Sequence, residues 1–234
     1  MEREKEAFLV LTALTVLAFV ENLWFVPWSP LMAIFAFLAI LIPLKYRGKG
    51  ELELNPLKRE FLGCMALCFV IAFATHLLIL TVYPLTLKSL GLRGNVQYDY
   101  WAANDTWFEH MKQKFGVEVW FIWLMLFMAV WAPIGEELLY RGYAFNTLLE
   151  KRSFTTASTI SSIYFGARHV LHLTLSMPAT PIVSGLSYGI LVIPFGYIWC
   201  YVLYKTKSLY SSMLLHGLVN LTSGILLAIQ VLPE

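Results

Sequence analysis

The chain has 234 residues, 59% of them apolar and only 14% charged. Soluble domains run roughly 45–50% apolar and about 25% charged. The excess here is gathered in blocks of bilayer length, which excludes a single soluble domain with a generous core. A formal charge of +2 is too small to suggest a nucleic-acid partner, and no dense basic run supports one.

In chain order, Met1-Glu2-Arg3-Glu4-Lys5-Glu6 is net acidic and precedes an apolar run without a small-x-small cleavage site. It therefore reads as a retained membrane helix and not as a signal peptide. Apolar spans follow near 7–26, 30–44, 61–84, 117–134, 155–174, 183–204 and 208–231. Most reach the roughly 20 residues that cross a hydrocarbon core, 30–44 being short. No alternating ten-residue segments occur, so the fold class expected is an all-α polytopic membrane protein. Seven transmembrane helices are expected.

Lys45, Arg47, Lys49, Lys58 and Arg59 lie between spans two and three, Lys151 and Arg152 before span five, and Lys205 and Lys207 between spans six and seven. If 117–150 crosses once, these loops share a side with the N-terminus, which the positive-inside rule makes cytoplasmic. Segment 117–150 is too long for one straight crossing. Pro133-Ile134-Gly135 in its middle predicts a kink between two helices, so eight helical pieces is the alternative count. The polar stretch 85–116, with Tyr98, Tyr100, Trp101 and Trp107, reads as an interfacial loop or short amphipathic helix whose aromatics sit at headgroup level. Cys64, Cys68 and Cys200 lie in apolar segments without a Cys-x-x-Cys pair and read as small core residues.

Ionisable residues inside the apolar blocks are expensive in lipid and are the functional candidates. They are Glu136, Glu137, Arg141, Arg168, His169 and His216, with His76 and Glu21 as further candidates. Glu137 and Arg141 are four apart with the acid first, the favourable order for a helical ion pair. Glu136 points about 100° away and has no sequence-local partner, which frees it to act as a base; the competing reading is a structural charge cluster. Phe165 and His169 share a helix face, a weak signal alone. Arg168 is expected to snorkel or to pair at a helix end. His216 and Asn220 also share a face, with Gly217 leaving room for close approach. Two converging donors suit an oxyanion, and interhelical hydrogen bonding is the equal alternative.

Taken together, Glu136/Glu137/Arg141, Phe165/His169 and His216/Asn220 resemble the motifs Glu-Glu-x-x-x-Arg, Phe-x-x-x-His and His-x-x-x-Asn/Asp of the CPBP family. These are the CAAX proteases and bacteriocin-processing enzymes, also called the Abi family. The resemblance covers roughly 117–231. It implies a catalytic core at 117–234 preceded by an N-terminal part, 1–116, that carries no signature. It also implies a helical bundle around a catalytic cavity inside the membrane, and a glutamic-type intramembrane endopeptidase without cofactor or metal. In it, Glu136 and His169 activate water, His216 and Asn220 form the oxyanion hole, and Glu137, Arg141 and Phe165 support the site. The implied partners are the bilayer and a membrane-embedded or lipid-modified protein or peptide substrate, prenylated tails among them.

Other chemistries fit less well. Gly185-Leu186-Ser187-Tyr188-Gly189 matches Gly-x-Ser-x-Gly but lies in an apolar helical run and lacks the strand–turn–helix context of a nucleophile elbow. There is no His-Glu-x-x-His, although Glu136, His169 and His216 make a conceivable zinc set. The only aspartates, Asp99 and Asp105, lie in the polar loop, which excludes an aspartyl intramembrane protease. A non-proteolytic scaffold of the same family and a proton relay for transport are the competing functions; no inverted repeat supports the latter.

Overall fold

The computed structural model describes residues 2–23, 30–47, 51–89, 122, 126–176 and 181–231, and among these every element is helical and none is a strand. The elements are α1 (Glu2–Leu23), α2 (Pro30–Tyr46), α3 (Leu62–Ser89), α4 (126–149), α5 (Phe154–Ser176), α6 (Pro181–Thr206) and α7 (Leu209–Val231). Beyond Ser89, the polar stretch 85–116 falls outside the described residues.

The helices are apolar on more sides than they bury. In α1 the buried residues Ala7, Leu11, Leu14 and Ala18 recur every three or four positions, while Leu9 and Val16 face outward. In α3, Met65, Cys68 and Ala72 are buried and Leu67, Val70 and Leu78 are exposed. A soluble helix would place polar residues on that outer face. Among the described residues, Arg59–Leu78 and Gly189–Thr206 are long and apolar enough to cross a membrane.

Helix α5 starts where Ser153 caps it, its hydroxyl accepting the Thr156 N–H at 3.2 Å. It lies closely along α6 through small residues. Gly166 faces the Gly189 carbonyl and Ile193, and Gly196 faces Ser162, with no room for a Cβ at either glycine. Such small-residue seams let backbones approach where lipid offers no hydrophobic drive. Helix α6 ends at Lys207, whose φ of 51° stops the helical path.

The α2–α3 connection is fastened to two other parts of the chain. Leu209 N–H donates to the Glu53 carbonyl (2.8 Å), Asn55 Nδ2 to the Lys207 carbonyl (2.7 Å) and Ser208 Oγ to the Asn55 carbonyl (2.6 Å). These bonds, with a Lys207–Glu53 ion pair at 3.4 Å, offset the left-handed backbone of both Glu53 (φ 55°) and Lys207. Arg47, buried at the end of α2, donates to Thr147 Oγ1 and Glu150 Oε1, both at 2.6 Å. Leu52 is buried against Leu209 and Gly142. The far end of α4 is thereby clamped, and α4 is the element that carries the two glutamates.

The kink expected at Pro133-Ile134-Gly135 does not divide α4 into two helices. Winding is continuous but changes pitch: a π-wound turn over Phe127–Trp131, an α stretch over Ala132–Glu136, a second π stretch over Glu137–Phe145, and α again over Asn146–Leu149. Pro133 has no N–H to offer Ala129, four residues back. The wider turn before it absorbs that missing bond without a break. All nine residues of the second π stretch are buried, and π winding recurs at functional sites.

Candidate active site

Glu136 is the last residue of the α stretch and Glu137 opens the π stretch, so the two carboxylates leave α4 in different directions. Glu137 is fully buried. One of its oxygens lies 3.1 Å from Arg141 Nη1, the ion pair expected from their spacing, and 2.9 Å from His216 Nδ1 on α7. A carboxylate only accepts hydrogen bonds, so Nδ1 of His216 carries the proton and Nε2 is the nitrogen on the Glu136 side. That Nε2 is 3.7 Å from Glu136 Oε2, beyond direct hydrogen-bonding distance.

The ring of Phe165 on α5 is the common surface of the site. His169 packs on it at 4.6 Å between centroids, His216 meets it edge-on at 5.9 Å, and the Arg141 guanidinium lies 4.3 Å over it. His169 Nδ1 donates to the Phe165 carbonyl at 2.8 Å. With that proton engaged, Nε2 of a neutral His169 holds the lone pair and has the character of a base. Asn220 lies one turn beyond His216 on α7 and is half-buried.

One side chain went unnoticed at the sequence level. Trp199 of α6 is buried and lies nearly parallel to His216, at 17° and 5.6 Å; nothing distinguished it from the other seven tryptophans of the chain. Arg168 neither snorkels nor sits at a helix end. It is buried within α5, with its guanidinium 4.4 Å over Phe35 of α2. The Ser187 motif has no described side chains. No group of three or more His, Cys, Asp or Glu side chains among the described residues is arranged to hold a metal.

Gly217 explains how α7 comes close enough for His216 to reach Glu137. A Cβ there would run into the carbonyl oxygen of Ala129, the group that Pro133 cannot serve. The glycine lets the α7 backbone rest on that oxygen. Gly217→Ala should therefore push α7 off α4, lowering stability by about 1–3 kcal/mol and slowing turnover as His216 loses register with Glu137. Thermal unfolding of the detergent-solubilised variant checks this, and an unchanged midpoint would show that the contact is slack.

Residues 118–222 match the family model described as type II CAAX prenyl endopeptidase Rce1-like. The match is to less than half of the chain, and it is a similarity to that family. The matched segment contains all three motifs, from Glu136 to Asn220, and agrees with the CPBP resemblance. The description is that of an endopeptidase family, that is, of proteases. No curated protein and no solved structure matches the chain.

Proposed function

We propose that the chain is a glutamate-dependent intramembrane peptidase that removes the C-terminal residues following a prenylated cysteine in a membrane-anchored substrate. The observation that carries this reading is the meeting of Glu136, Glu137 and His216 at one point, inside the segment that matches a protease-family model. In this account seven helices cross the bilayer, with the N-terminus cytoplasmic and residues 1–116 preceding the catalytic core.

Glu136 is the general base. Among the described residues it has no charged partner closer than His216 Nε2 at 3.7 Å, and it takes a proton from a water that it shares with His169 Nε2. The hydroxide attacks the scissile carbonyl. His216 Nε2 and Asn220 Nδ2 donate to the resulting oxyanion. Because Glu137 holds the Nδ1 proton, His216 donates from Nε2 as the imidazolium, and the Glu137 carboxylate is its counter-charge. The proton on Glu136 passes to the leaving amine. Glu137, Arg141 and Phe165 keep the imidazoles in place and do not touch substrate.

Asn220→Ala should lower kcat by about 10²–10³ with little change in the affinity for an uncleavable substrate analogue, because the donor matters only once charge develops. If the variant weakens analogue binding as much as turnover, Asn220 is a binding or packing residue. The reading as a whole is tested by comparing the C-termini of membrane proteins in cells expressing the wild type and Glu136→Gln. Shortened prenylated tails that depend on Glu136 support it; identical termini in both count against it.

A further inference from the structure

Arg168 is the one buried charge of the site that the proposed chemistry leaves idle. It is 7% exposed, and its place in the second half of α5 keeps it from a helix end. Among the described residues its guanidinium touches the ring of Phe35 and no carboxylate, and its Nε has no hydrogen-bond partner. Its partner Phe35 packs in one buried cluster with Tyr140 and Phe165, and Arg168 directly precedes His169 on α5, so it lies beside the site. An arginine held on an aromatic face with its Nε unpartnered among the described residues can still receive an anion.

Charge counting indicates when that anion arrives. Glu137 and Arg141 neutralise each other at 3.1 Å, and the Glu136 carboxylate balances Arg168 at longer range. Once Glu136 has taken a proton, Arg168 is left without a balancing charge. A substrate that brings its own anion restores neutrality at that moment. An internal stretch of a membrane helix brings none. A peptide that ends a few residues past the scissile bond brings its terminal carboxylate, and three extended residues reach about 10 Å.

Resting on the peptidase reading, we propose that Arg168 binds the C-terminal carboxylate of the substrate. The enzyme then recognises the end of a chain, and cleavage falls a fixed number of residues before it. Phe35 is part of this subsite as the face that holds the guanidinium flat, and it lies on α2, outside the matched segment.

The test uses the full-length protein in lipid nanodiscs and two farnesylated tail peptides of one sequence, one a free C-terminal acid and the other its carboxamide. Wild type should prefer the acid by roughly ten- to a hundredfold in kcat/KM, the range of a hydrogen bond to a charged group. Arg168→Gln should bring that ratio close to one, mainly through loss on the acid, and Arg168→Lys should keep part of it. A wild type that cleaves acid and amide alike overturns the proposal even if the glutamine variant does not fold. Equal losses on both peptides in Arg168→Gln, with the ratio preserved, overturn it too and make Arg168 only a counter-charge for Glu136. A wild type that cleaves neither peptide overturns the peptidase reading itself, and the carboxylate anchor with it.

Discussion

Glu137→Ala should be among the most damaging single changes to the folded protein, and should slow turnover as well. Glu137 and Arg141 are both fully buried, so removing the acid leaves a guanidinium in a dry interior with no counter-charge. Breaking a buried pair from one side costs about 3–5 kcal/mol. The nitrogens of Arg141 find no other hydrogen-bond partner among the described residues, so nothing nearby replaces the acid. The same substitution removes the acceptor at 2.9 Å that orients His216. The two effects separate in a double variant. Glu137→Ala with Arg141→Met restores an uncharged, filled interior and should recover most of the lost stability, while turnover stays low because His216 is no longer held. Chemical unfolding of the single and double variants measures the first effect and steady-state kinetics the second. A single variant as stable as the wild type would mean that the pair is hydrated.

Glu136→Gln should do the reverse, with kcat falling by about 10²–10⁴, the usual contribution of a general base, and the fold intact. The amide keeps the size of the side chain but cannot take a proton from water. Little stability is at stake, because the closest charged partner of Glu136 is His216 Nε2 at 3.7 Å. Unfolding of this variant should differ from that of the wild type by no more than about 0.5 kcal/mol, the margin of a substitution that breaks no buried contact. A glutamine variant that turns over normally would transfer the base role elsewhere, with His169 Nε2 the next group to test.

The parts of the site that were legible in the sequence are those fixed by helical spacing. Glu137 and Arg141 pair because they are four residues apart, and Phe165 and His169 pack together for the same reason. Spacing carries no information on contacts between distant helices. The bond from Glu137 to His216 joins residues on α4 and α7, and it occupies a nitrogen that the sequence left open for an oxyanion. Trp199 was invisible for a related reason, since a tryptophan in an apolar run looks the same whether it meets lipid or an imidazole. Arg168 was noticed as a charge but misplaced, because snorkelling is the general rule for long cationic side chains and the ring of Phe35 that receives it lies far back in the chain.

The winding of α4 was misjudged on sound local grounds. Proline next but one to glycine ordinarily marks a break. Here a π turn ahead of Pro133 accommodates the missing N–H, and Gly217 of α7 settles on the Ala129 carbonyl. The chain therefore continues in one helix and delivers both glutamates to the same region. The seven helices seen among the described residues have outward apolar faces, such as Leu9, Leu67 and Val70, that agree with a lipid surround.

The central claim, hydrolysis of a prenylated tail by water activated at Glu136, is tested most directly by mass spectrometry of one farnesylated tail peptide incubated with wild-type protein and with Glu136→Gln in identical nanodiscs. The account predicts that the wild type shortens the peptide to a single product ending at the farnesylated cysteine and that the glutamine variant leaves the peptide whole. Equal shortening by both proteins, or none by either, would contradict it.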